Sequence, residues 1–395
     1  MRIALDPEQV ALKEELQGYF SELVTPEVKA GLASASGEFG EAGAYKSVIK
    51  QLGTDGWLGI GWPQEYGGQD RSMVDQLIFT DVAADFGVPI PYLTLNTVGP
   101  TIMRYGTEEQ KAYFLPRILA GDLHFSIGYS EPGSGTDLAS LKTKAVREGD
   151  EWVINGQKMW TSLIQYADYV WLACRTDPDA PKHKGLSMIL VPADADGVSY
   201  TPVHTVAGVG TSATYYEDVR VPVSNLVGEL NGGWPLITNQ LNHERVSLTS
   251  SAPLTMSLKL VREWAQQTKN PDGSRVIDAE WVQIALGRAH ARIQALTLIN
   301  WKLASDADRD VALSPAEASA TKIYGSELAT EVYRSLMEVI GPNAGVTGAS
   351  DGAVLAGRIE RYYRSALVMT FGGGTNEIQR DIIGYVGLGL PAAKR

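Results

Sequence analysis

The chain has 395 residues, with 34 lysines and arginines against 46 aspartates and glutamates, a formal net charge of −12 and a pI near 5.0. This length excludes a small stapled scaffold and suggests about two or three domains, while the acidic surplus repels phosphate backbones and anionic lipid surfaces, so neither nucleic acid nor a membrane is an expected partner. With 44% hydrophobic and 20% charged residues, the chain has enough apolar material for a sizeable core, which excludes wholesale disorder.

In chain order the first elements are helical. Asp6 can cap a helix, Pro7 suits its first position, and Val10, Leu12, Leu16, Tyr19, Phe20 and Leu23 recur near helical spacing. Residues 45–55, 72–86 and 107–119 read as further helices bounded by Gly, Pro or a capping Ser or Thr. Residues 1–122 are therefore expected to form an N-terminal α-helical domain. Across 123–230 the texture changes to short segments rich in Val, Ile, Thr, Tyr and Trp, at 125–130, 152–154, 169–175, 186–191, 198–206 and 213–219. Turn formers such as Asn155-Gly156 and Asp196-Gly197 separate them, as in a middle antiparallel β domain.

Residues 231–395 return to helical patterning, at 234–267, 278–305, 314–340, 352–370 and a short piece from Asn376. Helices of this length bury their stripes most simply against one another as an antiparallel four-helix bundle. The fold class is thus α+β. The single cysteine, Cys174, lies in the apolar run 169–174, where a thiol is a small buried hydrophobe of a reducing compartment. No basic-then-apolar leader and no run of the ~20 apolar residues that span a bilayer is found, so a cytoplasmic protein is expected. His183, His204 and His290 show no metal-ligand spacing, and no metal site is expected.

The sharpest motif is Tyr129-Ser130-Glu131-Pro132-Gly133-Ser134-Gly135-Thr136-Asp137, a strand running into a Gly-rich turn lined with hydroxyls. Alone it reads as an ordinary β-turn. One hairpin later comes Gly156-Gln157-Lys158-Met159-Trp160-Thr161-Ser162, and the pair together offers what a flavin ring needs: polar donors for its edge and a flat aromatic wall for one face.

With these residues, the segment Tyr105-Gly106-Thr107-Glu108-Glu109-Gln110 and the tail Gly374-Thr375-Asn376-Glu377-Ile378-Gln379-Arg380, the chain resembles the acyl-CoA dehydrogenases over essentially its whole length. The resemblance implies FAD as cofactor and an acyl-CoA thioester as substrate. It implies that Ile127, Gly128, Tyr129 and Ser130, with Gly135 and Thr136, line the flavin and the thioester. Trp160, Thr161 and Ser162 would then lie against the isoalloxazine, with Ser162 near its N5. Thr375 and Glu377 would lie near the nucleotide end of the cofactor, and an electron-transferring flavoprotein or similar acceptor would reoxidise it.

The family's reaction takes a proton from the α-carbon while a hydride leaves the β-carbon, so a carboxylate must face the flavin across the substrate. Many members carry it directly before the Gly-Thr of the tail, where this chain has Gly373. Other members carry it at the start of the last domain, which corresponds here to Glu244. Periodicity supports that position independently, because Ile237, Leu241 and Leu248 share the helical face of Glu244. Burial on that face raises a glutamate's pKa and makes it a better base near neutrality. Arg245 matches a family arginine that orients the substrate region, and His243 projects about 100° away around the helix. Glu377 is the weaker rival as base, because a first-turn carboxylate behind the capping Thr375 serves helix stability. Gly373 keeps the backbone N–H with which family members hold the thioester oxygen.

Two departures bear on assembly. Homotetrameric members lend an Arg-x-x-Phe-Gly and a Gln-x-x-Gly-Gly-x-Gly segment to a neighbour's flavin nucleotide; here the corresponding stretches are Thr268-Lys269-Asn270-Pro271-Asp272 and Glu338-Val339-Ile340-Gly341-Pro342-Asn343-Ala344. Without the cation and the close-approach glycines such a loop binds pyrophosphate poorly. A homologous partner chain would supply that half, as in the α2β2 acyl-CoA dehydrogenases of actinobacterial sterol side-chain degradation, whose base-bearing chain this sequence resembles. Gly372 and Gly373 replace two bulky residues beside the acyl group and leave room for a ring-bearing substrate. The alternatives are a homotetrameric branched-chain enzyme, an acyl-CoA oxidase and a non-catalytic scaffold subunit; intact flavin-ring motifs argue against the last.

Overall fold

The computed structural model describes residues 4–35, 43–208, 210–238, 240, 249–309, 311–348 and 350–391. Helix α1 (Pro7–Leu23) opens on a reciprocal cap: the Asp6 carboxylate accepts from Gln9 N at 2.8 Å, and Asp6 N donates to Gln9 Oε1 at 3.0 Å. Leu12, Leu16 and Phe20, each one turn apart, form its buried face. α2 (Pro26–Ala35), α3 (Gly43–Thr54), α4 (Met73–Asp85), α5 (Gly99–Tyr105) and α6 (Glu108–Leu119) follow. α2 and α5 were not expected from the sequence. α5 is short and emerges from a π-helical turn, Leu93–Val98, with Pro100 in its first turn, so it carries little periodic signal. α6 has the same reciprocal cap between Thr107 and Gln110, and Gln110 also donates to Ser224 O and Leu226 O at 2.7 and 2.9 Å, tying helices to strands.

The strands are β1 (Phe125–Gly128), β2 (Lys144–Glu148), β3 (Glu151–Lys158), β4 (Tyr169–Arg175), β5 (Leu186–Pro192), β6 (Val198–Val203), β7 (Thr211–Pro222) and β8 (Leu226–Val227). They pair in the order β6-β7-β3-β2-β4-β5-β8, with β1 added on β4. The sheet is antiparallel apart from β1 and the end of β2, which run parallel to β4. β4 is apolar up to its terminal Arg175 because both faces are covered: Trp171 and Ala173 enter the core shared with the N-terminal helices, and Val170, Leu172 and Cys174 enter a second core with β3, β5 and β7. β2 escaped the sequence reading because four of its five residues face solvent or the domain edge.

The C-terminal helices are α7 (Ala252–Gln267), α8 (Glu280–Ala307), α9 (Pro315–Ile340), α10 (Arg358–Ala366) and α11 (Asn376–Ile382), packed around Leu254, Val261, Val282, Ile293, Leu328 and Leu336. The expected single helix over 234–267 is broken. Residues 233–238 and 240 are helical, 249–251 are not, and α7 starts at Ala252. Pro253 has no N–H to give to a preceding turn, so it suits the first turn of a helix and not the interior of a longer one. Side chains replace the lost backbone bonds, with Ser251 N donating to Asn300 Oδ1 at 3.2 Å and Ala252 N to Ser250 Oγ at 3.1 Å. The expected helix over 352–370 shrinks to α10, because Leu355, Ala356 and Gly357 hold positive φ of 50°, 53° and 64°. α4 links the two helical domains, its first amides Met73 N and Val74 N donating to the Asp308 carboxylate at 2.5 and 3.3 Å.

Candidate functional site

β1 delivers Ile127, Gly128, Tyr129 and Ser130 to the Gly-rich turn. Gly128 is required by space, since a Cβ there would lie 2.6 Å from Leu172 Cδ1. Beyond it, Gly135 and Thr136 are exposed on the loop. The loop is fixed from beneath by Lys158, whose side chain is wholly buried. Its ammonium donates to Tyr129 O at 3.0 Å and to Glu131 Oε1 at 2.9 Å. The Glu131 carboxylate also accepts from Lys142 N and Thr143 N at 2.7 and 2.8 Å. Burial pushes the Glu131 carboxyl up, but Lys158 and the Thr143 amide outweigh it and hold the group below its ordinary value.

The segment after β3 is drawn against β1. Met159 N donates to Ser130 O at 2.8 Å, and Ser126 Oγ donates to Ser162 O at 2.9 Å. Thr161 is fully buried, with Thr161 N on Ser212 O at 2.9 Å and its hydroxyl 3.0 Å from that of Thr214. Ser162 Oγ reaches Thr211 Oγ1 at 3.3 Å. Trp160, between them, turns outward: it is 53% exposed and sits at φ 64°.

The tail forms a second set. Gly373 and Gly374 hold φ of 68° and 96°, Gly372 precedes them, and Thr375 caps α11 by accepting from Ile378 N at 3.3 Å, with Glu377 exposed in the first turn. A buried lysine organises this turn. Lys322 on α9 donates to Gly374 O at 2.9 Å and to Asn376 Oδ1 at 2.6 Å, while Ser319 Oγ donates to Gln379 Oε1 at 2.8 Å. Arg364 on α10 bridges towards the β domain by donating to Val206 O at 2.6 Å. Glu244, Arg245 and His243 lie outside the described residues. Gln240, just ahead of them, is buried, and its Oε1 accepts from the Tyr129 hydroxyl and from Trp171 Nε1, the latter at 3.0 Å.

Comparison with known proteins bears directly on this arrangement. Family models for the N-terminal, middle and C-terminal domains of acyl-CoA dehydrogenases match residues 6–122, 126–219 and 231–388. The chain belongs to the acyl-CoA dehydrogenase family. It is 62% identical to the acyl-CoA dehydrogenase FadE26 of Mycobacterium tuberculosis, with both chains covered completely. Among solved structures it matches the ChsE4-ChsE5 complex from Mycobacterium tuberculosis at 62% identity and a TM-score of 0.92, covering 100% of both chains. It matches the Tcur3481-Tcur3483 steroid acyl-CoA dehydrogenase at 49% identity and the same TM-score of 0.92, again with complete coverage.

Acyl-CoA dehydrogenases are flavin-dependent oxidoreductases that use FAD. Trp160 tests whether this chain suits that group. A non-glycine residue in the left-handed region costs about 1–2 kcal/mol, and here the strain turns a large indole outward, near the partly exposed Ser162, instead of into the core, while Thr161 anchors the turn inside. A flat wall with an adjacent donor fits a flavin ring. The sequence reading of this acyl-CoA dehydrogenase overlooked Lys158, Glu131, Gln240 and Lys322. A signal existed for two of them: Lys158 shares the inward parity of Trp152 and Ile154 on β3, and Lys322 shares the inner face of Ala318 and Gly325 on α9. Lysine at an inward position calls for a partner. No described helix is long and apolar enough to cross a membrane.

Proposed function

We propose that the chain is the base-bearing subunit of a heteromeric, cytoplasmic acyl-CoA dehydrogenase that introduces an α,β double bond into a sterol side-chain CoA ester. One observation carries this reading. At Gly373, where many family members hold the base, the backbone lies in the left-handed region, which a glutamate rarely adopts, while the flavin-facing residues of β1 and of the turn after β3 are intact. That leaves Glu244, at the position where other family members carry the carboxylate, as the residue we assign as base. The names of the steroid enzyme and the two-chain complex matched above support the substrate class and the partner.

In this reading Ile127, Gly128, Tyr129, Ser130, Gly135 and Thr136 hold the pyrimidine edge of the flavin and, through Thr136, the thioester. Trp160 covers one ring face, Ser162 donates at the ring edge, Thr161 holds that turn from beneath through Ser212 and Thr214, and Thr375 and Glu377 serve the nucleotide end. A bound flavin supplies the hydride acceptor for the β-carbon. Glu244 takes the α-proton. The backbone N–H of Gly373 donates to the thioester oxygen, where negative charge develops as that proton leaves. Arg245 orients the segment that carries the base, and Gly372 and Gly373 leave space for a ring system. The partner chain supplies the nucleotide half that 268–272 and 338–344 lack, and an electron-transferring flavoprotein or similar acceptor removes the electrons. Trp281, Ile284 and Leu298, exposed along one side of α8, give such a partner apolar surface to cover.

Co-expression with a homologous neighbouring chain tests the proposal. The complex is expected to carry flavin that bleaches anaerobically with a sterol side-chain CoA ester and not with a short straight-chain one. The chain alone is expected to be poor in flavin. Fully flavinated, active protein from this chain alone overturns the heteromeric reading.

A further inference from the structure

Three buried side chains meet where β1 runs into the signature loop beside the segment ahead of Glu244. The Tyr129 hydroxyl donates to Gln240 Oε1, and the Trp171 indole N–H donates both to that oxygen at 3.0 Å and to the Tyr129 hydroxyl at 3.2 Å. Tyr129, Trp171 and Gln240 are 6%, 0% and 2% exposed. An indole N–H only donates, so it fixes the amide oxygen of Gln240 towards Trp171 and sends the NH2 group the other way. That NH2 group is buried and has no acceptor among the described residues. An unmatched buried donor costs about 1–3 kcal/mol, a penalty that a methionine in the same volume would not carry. Packing alone does not account for the glutamine.

Its location does. Tyr129 is gripped at both ends, by Lys158 Nζ on its carbonyl at 3.0 Å and by Gln240 on its hydroxyl. Ahead of Gln240, Leu236 and Ile237 anchor the helical residues 233–238 in the core shared by sheet and helices. Glu244 follows Gln240 by four positions in the sequence and lies outside the described residues. The end of β1 and the residue that closes the described run ahead of Glu244 are thereby joined by a side-chain contact. Proton and hydride removal from adjacent carbons needs base and flavin at a fixed separation, and a displacement of about 1 Å can cost about a hundredfold in rate.

We propose that Gln240 is a positioning residue for the dehydrogenation: with Tyr129 and Trp171 it ties the described residues ahead of Glu244 to the end of β1, and so sets the point from which the chain runs on to the base. The inference rests on the reading of Glu244 as base. Its test uses the complex with the partner chain. In Gln240→Met, flavin content is expected to match wild type and KM to stay within about twofold, while kcat falls by about 10- to 100-fold. The α-deuterium isotope effect on flavin bleaching should rise, and amide hydrogen exchange in the peptide covering 233–248 should accelerate. Tyr129→Phe deletes one hydroxyl, leaves the bond between Trp171 and Gln240, and should move the same readouts by less. Wild-type kcat in both variants overturns the proposal, as does a fall in kcat matched by loss of flavin with an unchanged isotope effect. Glu244→Gln, measured alongside, separates the two readings. Normal bleaching by that variant removes the base assignment, whereas normal bleaching by Gln240→Met beside an inert Glu244→Gln removes the positioning role.

Discussion

Lys158 shows how much of the site hangs on one side chain. Its ammonium is buried at the end of β3 and is compensated by Glu131 and the Tyr129 carbonyl, so removing it strands a carboxylate inside the protein. Breaking a buried pair from one side typically costs about 3–5 kcal/mol. Lys158→Met is therefore expected to lower the melting temperature sharply and to release the loop that carries Gly135 and Thr136, with loss of bound flavin. A melting temperature near wild type, with flavin retained, would show that the pair does not hold the loop. The two motifs that the structure brings together, Tyr129 to Asp137 and Gly156 to Ser162, were legible in the sequence because hydroxyls, glycines and a tryptophan recur in them one hairpin apart. Lys158 showed only its inward parity on β3 and not its partners, and Gln240 gave no local signal, because its contacts with Tyr129 and Trp171 are tertiary.

Among elements, α4 is the joint between the two helical domains, and Asp81 is its sensitive point. The carboxyl faces Ser250 Oγ at 3.2 Å, in the non-helical residues ahead of α7, with Asp85, Lys13 and Tyr92 around it. Burial pushes its pKa up to about 7 from an ordinary 3.8, against the pull of the Ser250 hydroxyl. A raised carboxyl favours the protonated form in the folded state. Its contribution to stability is therefore full below 3.8 and is lost as pH rises through about 7. Asp81→Asn, which cannot ionise, is expected to melt above wild type at pH 8, with the gap closing as pH falls towards 4. A gap independent of pH would contradict this. The helices that were read correctly, such as α1, α6 and α9, combine a capping residue with sustained periodicity. The breaks at 249–251 and 354–357 were missed because side-chain bonds in the first and left-handed backbone in the second depend on the neighbours against which they pack.

At the scale of the whole chain, the order of helices, sheet and helices was legible because each domain has its own hydrophobic period. The parallel placement of β1 was not, since it pairs with β4, a strand far along the chain, and no local pattern encodes a non-local partner. The same scale holds the proposal that a chain with a glycine at the common base position performs the reaction with Glu244 as the carboxylate. Anaerobic mixing of the flavin-loaded complex with a sterol side-chain CoA ester measures this directly. Wild type is expected to bleach, and Glu244→Gln is expected to bind the same flavin and ester yet stay oxidised. Bleaching by Glu244→Gln at the wild-type rate would contradict the account.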